Sequence, residues 1–153
     1  MLKIAVMISG GGTDLQSIID ACQAGKINGT IELVISNRQK AYGLQRAQKA
    51  GIETAVVKKN DTLIVSMLKE RNIDLVVLAG YLAILTDELI DAYPNQIINI
   101  HPSLIPSFCG AGMYGMHVHE AVLNRGVKVS GATVHFVSRE IDGGPIIKQV
   151  ACD

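Results

Sequence analysis

The chain has 153 residues, a length suited to a single hydrophobic core, and with 48% hydrophobic and 18% charged residues its composition excludes extensive disorder. Fourteen basic side chains balance fourteen acidic ones, so nothing in the overall charge favours nucleic acid or a membrane surface as partner; any phosphate recognition must be local. The apolar run from Leu75 to Ala79 is far too short to span a bilayer, and the N-terminal MLKIAVMISGGG lacks the hydrophobic stretch and small-residue cleavage site of a signal peptide. A cytoplasmic protein is therefore expected.

In chain order, KIAVMI (3–8), IELVIS (31–36), ETAVV (53–57), DLVVLA (74–79) and QIINI (96–100) are short, β-branched and almost continuously apolar. That pattern predicts strands buried on both faces of a parallel sheet. Helical patterns fill the intervals at 15–24, 41–50 and 62–71, and the alternation predicts an α/β fold with an open, doubly wound, mostly parallel sheet. After Ile100 the rhythm changes to a Pro- and Gly-rich loop over 101–115, a helix over 116–124 and strands over 130–137 and 145–150. The last two predict an antiparallel C-terminal addition to the sheet.

Three places carry candidate chemistry. The first strand ends in Ser9-Gly10-Gly11-Gly12-Thr13-Asp14 and runs directly into a helix. Glycines allow close backbone approach, and a helix N-terminus offers N–H groups and a positive dipole end to an anion such as a phosphate. The sequence fits neither the dinucleotide fingerprint nor the P-loop, and it also reads as an ordinary helix start with Thr13 or Asp14 as N-cap.

The second place is Asn99-Ile100-His101-Pro102-Ser103-Leu104-Ile105-Pro106, at the carboxyl end of the fifth strand, where open α/β sheets bind ligands. Period-two spacing points Asn99 and His101 to one side and sets an amide donor beside an imidazole that titrates near neutral pH. The third is Arg139-Glu140-Ile141-Asp142-Gly143-Gly144-Pro145, a turn-forming sequence whose Asp142 is a candidate partner for the His101 ring.

No metal site is predicted. His117 and His119 are two apart on a helix and do not face each other, which argues against a metal pair. His135 lies on a strand and reads as a supporting or core residue. Cys22, Cys109 and Cys152 are scattered without a CxxC pair, which suggests neither a disulfide framework nor a thiolate site.

At these three places together the sequence resembles the phosphoribosylglycinamide formyltransferase family, enzymes of purine synthesis that use 10-formyltetrahydrofolate. The similarity runs from ISGGGTDLQSIIDA through VVLAGYLAIL and NIHPSLIPSFCG to GATVHFVSREIDGGPII, essentially the whole chain. It implies a Rossmann-like formyltransferase fold, with 1–153 as one catalytic domain lacking the C-terminal strand and helix found in other members. It also implies Asn99, His101 and Asp142 as the catalytic set, and Gly12, Thr13 and Asp14 as the phosphate site for the ribonucleotide. Tyr81, Leu82, Ala83, Ile84 and Leu85 would meet the pterin of the folate, together with Asn99, Ser138, Arg139, Glu140, Ile141 and Asp142.

The resemblance makes formylfolate and glycinamide ribonucleotide the two small-molecule substrates, with no metal and no nucleic acid or membrane partner; it leaves the oligomeric state open. Direct transfer needs no thiol nucleophile, so Cys109 is expected to be inert. Two local departures stand out: Asp14 replaces the family's common Asn, and the segment 57–62 is short and lacks an arginine that contacts folate. Two other readings of the same residues are hydrolysis of formylfolate and a non-catalytic nucleotide-binding module.

Overall fold

The computed structural model describes residues 1–101, 105–106, 116–125, 130–140 and 143–152. Its backbone divides into two compact units, Met1–Ile97 and Ile98–Asp153. The strands of the first unit pair in parallel and those of the second antiparallel, as the sequence predicts.

The first unit alternates strand and helix: β1 (Leu2–Ile8), α1 (Thr13–Gln23), β2 (Gly29–Ser36), α2 (Tyr42–Lys49), β3 (Thr54–Val56), α3 (Asp61–Glu70), β4 (Leu75–Leu78) and α4 (Asp87–Ala92). The pairings β3 to β2, β2 to β1 and β1 to β4 are all parallel. Strand order thus runs outward from β1 to β3 and then jumps back to β4 on the other side of β1. Right-handed crossovers place α1 and α2 on one face and α3 on the other.

Burial explains the near-continuous apolarity of the central strands. Ile4 to Ile8 and Leu33 to Ile35 are almost wholly buried, because helices cover both sheet faces. Ile64 and Leu68 of α3 close one side and Leu15 and Ile19 of α1 the other. Helix α3 starts where Asn60 accepts a hydrogen bond from the Leu63 N–H (3.1 Å), satisfying one of the end groups the helix leaves unpaired.

Helix α4 is absent from the sequence reading. It is only six residues long, and its apolar content is a buried Leu89 beside a half-buried Ile90, too little for a recognisable period. Helix α1 begins at Thr13, and its N-cap is Gly12 in the left-handed region (φ 75°) with no side-chain cap bond. This corrects the expectation that Thr13 or Asp14 caps the helix. The turn's geometry is set by backbone and by neighbours instead.

The second unit contains β5 (Ile97–His101), which opens on the last residue of the first unit, then α5 (Met116–Arg125), β6 (Ser130–Phe136) and β7 (Ile146–Cys152). Strand β6 is antiparallel to both β5 and β7, with Asn99 opposite His135, His101 opposite Thr133, and Thr133 opposite Gln149.

Leu68 is fully buried, so Leu68→Ala leaves a cavity under α3. We expect it to cost about 2–5 kcal/mol of unfolding free energy, measurable by urea denaturation.

Candidate active site

In the first unit, the loops after β1 and β4 emerge from the carboxyl ends of two neighbouring parallel strands whose onward connections diverge. This is the switch point at which open α/β sheets bind ligands. One buried hydroxyl ties the strand ends together. Ser9 Oγ donates to Asn37 Oδ1 (2.5 Å), just after β2, and accepts from the Leu82 N–H (2.8 Å), just after β4.

The Gly10-Gly11-Gly12 turn rests on α2. The Gly43 N–H donates to Gly10 O (3.0 Å), and Arg46 Nε donates to Gly11 O (2.7 Å). Two glycines are obligatory for this approach. A Cβ on Gly12 would lie 2.7 Å from Gly43 Cα, and one on Gly43 would run into Ile8 Cδ1. Thr13 and Asp14 are exposed in the first turn of α1.

The loop from Tyr81 to Leu85 is held at both ends. Leu82 hangs from Ser9, while the Thr86 N–H and hydroxyl both donate to Asp61 Oδ2 (2.8 Å each) at the start of α3. Leu85 is buried, Ala83 is half-buried, Leu82 is partly exposed, and Ile84 is 78% exposed, so the loop presents apolar surface on a fixed backbone. Burial, reinforced by the nearby Asp61 charge, pushes the Tyr81 hydroxyl up to about 12, so the phenol stays protonated at neutral pH.

In the second unit, register puts Asn99, His101, Thr133 and His135 on one face of the β5–β6 pair. His135 is buried, and its Nδ1 lies 3.0 Å from Phe136 O, which can only accept; Nδ1 therefore carries the proton. In the neutral ring Nε2 is then an acceptor, and it receives Asn99 Nδ2 at 3.3 Å. The imidazole thus fixes which end of the Asn99 amide is the donor.

His101 is buried, 3% exposed, in the row occupied by Asn99. Thr133 Oγ1 accepts from the Ile105 N–H (3.1 Å) and from Gln149 Nε2 (3.0 Å), and Gln149 also donates to Ile105 O (2.9 Å). Ile105 is anchored through these bonds.

Of the third candidate segment, Ser138 is half-buried and its hydroxyl donates to Glu140 O (3.2 Å), while Arg139 and Glu140 are exposed. The Gly143 N–H donates to Glu140 O (3.1 Å) and the Phe136 N–H to Pro145 O (2.9 Å), closing the loop. Gly144 permits that closure, since a Cβ there would strike Phe136 O. Ile141 and Asp142 lie outside the described residues, so the expected partnership of Asp142 with His101 does too. Among the described residues no three His, Cys, Asp or Glu side chains converge as a metal site, and no helix is long and apolar enough to cross a membrane.

The residues that sequence reasoning passes over are those that hold others in place. Ser9, Asn37, Gly43 and Arg46 meet across 28 to 35 positions, and no local pattern announces such contacts. His135, read from the sequence as a supporting or core residue, is buried and stands opposite Asn99 in the antiparallel pair.

Ser9→Ala leaves the Asn37 carbonyl and the Leu82 N–H without their shared partner. It is expected to cost about 1–3 kcal/mol, read by urea denaturation, and to speed amide exchange at Leu82.

Comparison with known proteins places the chain in a family. Residues 2–153 match the family model described as formyl transferase. The phosphoribosylglycinamide formyltransferase of Haemophilus influenzae is 46% identical over 157 residues, covering 97% of this chain and 72% of that protein. The chloroplastic phosphoribosylglycinamide formyltransferase of Arabidopsis thaliana is 41% identical, and there the match spans 54% of the relative's length. The crystal structure of glycinamide ribonucleotide transformylase 1 from Symbiobacterium toebii superposes with a TM-score of 0.93 at 42% identity, over 99% of this chain and 73% of that one. The chain belongs to the formyl transferase family, in its phosphoribosylglycinamide formyltransferase branch.

Proposed function

We propose that this chain transfers the formyl group of 10-formyltetrahydrofolate to the amine of N1-(5-phosphoribosyl)glycinamide, in the cytoplasm, as a step of purine synthesis. The observation that carries the reading is the Asn99 amide, held against the His135 ring and sharing a strand face with His101. An acyl transfer needs such fixed donors where charge develops.

The neutral amine attacks the formyl carbon, a C–N bond forms, and the carbonyl oxygen becomes an oxyanion. In this reading Asn99 donates an N–H to that oxygen and protonated His101 donates from its ring. Asp142 stabilises the charged imidazole and helps a proton pass from the attacking nitrogen to N10 of the folate. The C–N10 bond then breaks, releasing tetrahydrofolate and formylated product. No electrons change hands, and neither a metal nor a covalent enzyme intermediate is required.

Gly12, Thr13 and Asp14 take the ribonucleotide's phosphate, an assignment supported by the N-terminal end of α1 and its positive dipole. Tyr81 to Leu85 take the pterin, whose donor and acceptor edge suits backbone groups on a loop pinned at both ends. Ser138, Arg139, Glu140, Ile141 and Asp142 complete the folate contacts.

Mixing the protein with formylfolate tests this directly. Deformylated folate is expected only when the ribonucleotide is present; its release without the ribonucleotide marks a hydrolase, and no release in either case counts against transfer by this chain. Asn99→Ala and His101→Ala are each expected to lower kcat about hundredfold or more, as loss of an oxyanion donor does. Full turnover by His101→Ala would sink the assignment.

A further inference from the structure

Helix α2 makes an unusual set of contacts with the glycine turn for an element outside the substrate-contacting segments. Its Gly43 N–H bonds Gly10 O at 3.0 Å, and Arg46 Nε bonds the next carbonyl, Gly11 O, at 2.7 Å. The guanidinium is itself held, with Nη1 3.4 Å from Gln16 Oε1 on α1 and its centre 5.0 Å from the Tyr42 ring centroid.

In a trans peptide the C=O of one residue and the N–H of the next point in opposite directions. Drawing the Gly10 and Gly11 carbonyls onto α2 therefore turns the N–H groups of Gly11 and Gly12 away from α2. Glycine alone does not select this orientation, because its peptides flip at little steric cost. Only the outside bonds decide it.

From this geometry we infer that Arg46 is a positioning residue for anion binding. With Gly43 it locks two consecutive peptides so that their N–H groups face a phosphate, and its charge biases the turn toward an anion that it does not itself touch. The inference rests on the reading of this turn as a phosphate site. Lysine is a poor substitute, because a single ammonium cannot bond Gly11 O through a planar fork while reaching Gln16 and lying over Tyr42.

The test uses the whole chain with Arg46→Ala and Arg46→Lys, and inorganic phosphate as the probe. Arg46 is only half-buried, so both variants are expected to fold, checked by an unchanged circular dichroism spectrum. In the wild type, phosphate should shift the amide resonances of Gly11, Gly12 and Thr13. In Arg46→Ala its Kd should rise about tenfold or more, the scale of losing a hydrogen bond to a charged group. Without phosphate, the Gly11 and Gly12 amides should exchange faster in that variant while β1 keeps its protection.

In turnover, KM for the ribonucleotide should rise in the same proportion, with kcat and the formylfolate KM within about twofold of the wild type, because uniform binding alone is lost. Arg46→Lys should recover less than half of the lost binding free energy. Several outcomes overturn the inference: no phosphate shift at the wild-type turn, unchanged amide exchange in Arg46→Ala, or full rescue by lysine, which would mean that charge alone acts. Phosphate binding at the turn without any formyl transfer would overturn the proposed function and leave this inference standing.

Discussion

The parallel pairing of β1 with β4, Ile4 beside Leu75 through Met7 beside Leu78, is the constraint on which the rest of the first unit depends. Both strands are buried on two faces and end together, and the ladder runs one step further through the Ala79 N–H to Met7 O bond at 2.9 Å. From β1 the chain turns into α1 on one face of the sheet. From β4 it runs on into α4, which meets α3 on the other. The two loops must therefore part at the strand ends, and core packing, rather than any property of the loops themselves, fixes where a ligand can enter.

A neutral chain has no overall field with which to gather an anionic substrate, so each recognition step depends on local dipoles held in one orientation. Ser9 illustrates how little is needed: one buried hydroxyl fixes the first residue after β2 and the fourth after β4. His135 does the same in the second unit. A carbonyl fixes its tautomer, and the tautomer fixes the Asn99 amide. Donors oriented before the substrate arrives do not have to reorganise as charge develops, which is the main reason such groups act more strongly in a protein than in water.

The strands of the fold were legible because burial on both faces writes itself as runs such as KIAVMI and IELVIS, and the switch from that rhythm after Ile100 marked the change to antiparallel pairing. Helix α4 was not legible, since six residues with a single fully buried side chain carry no period. At the candidate site, residues with functional groups at a strand end, Asn99 and His101, could be picked out by spacing alone. The groups that hold the glycine turn and the loop after β4 could not, because the Arg46 to Gly11 and Ser9 to Leu82 bonds join positions 35 and 73 apart that only the folded chain brings together.

Asp14 shows how the two kinds of information combine. In sequence, a carboxylate beside a phosphate turn is an unfavourable choice, relieved if it serves as the helix cap. The structure gives the capping position to Gly12 and leaves Asp14 exposed in the first turn of α1, where the helix dipole stabilises its charge without any role in shaping the turn. Its repulsion of an anion is screened by solvent, whereas Arg46, half-buried and triply held, acts on the same turn from fixed geometry. On the reading of this turn as an anion site the balance favours the anion, and the residue that tips it, Arg46, lies on a different helix from the one that opens at the turn.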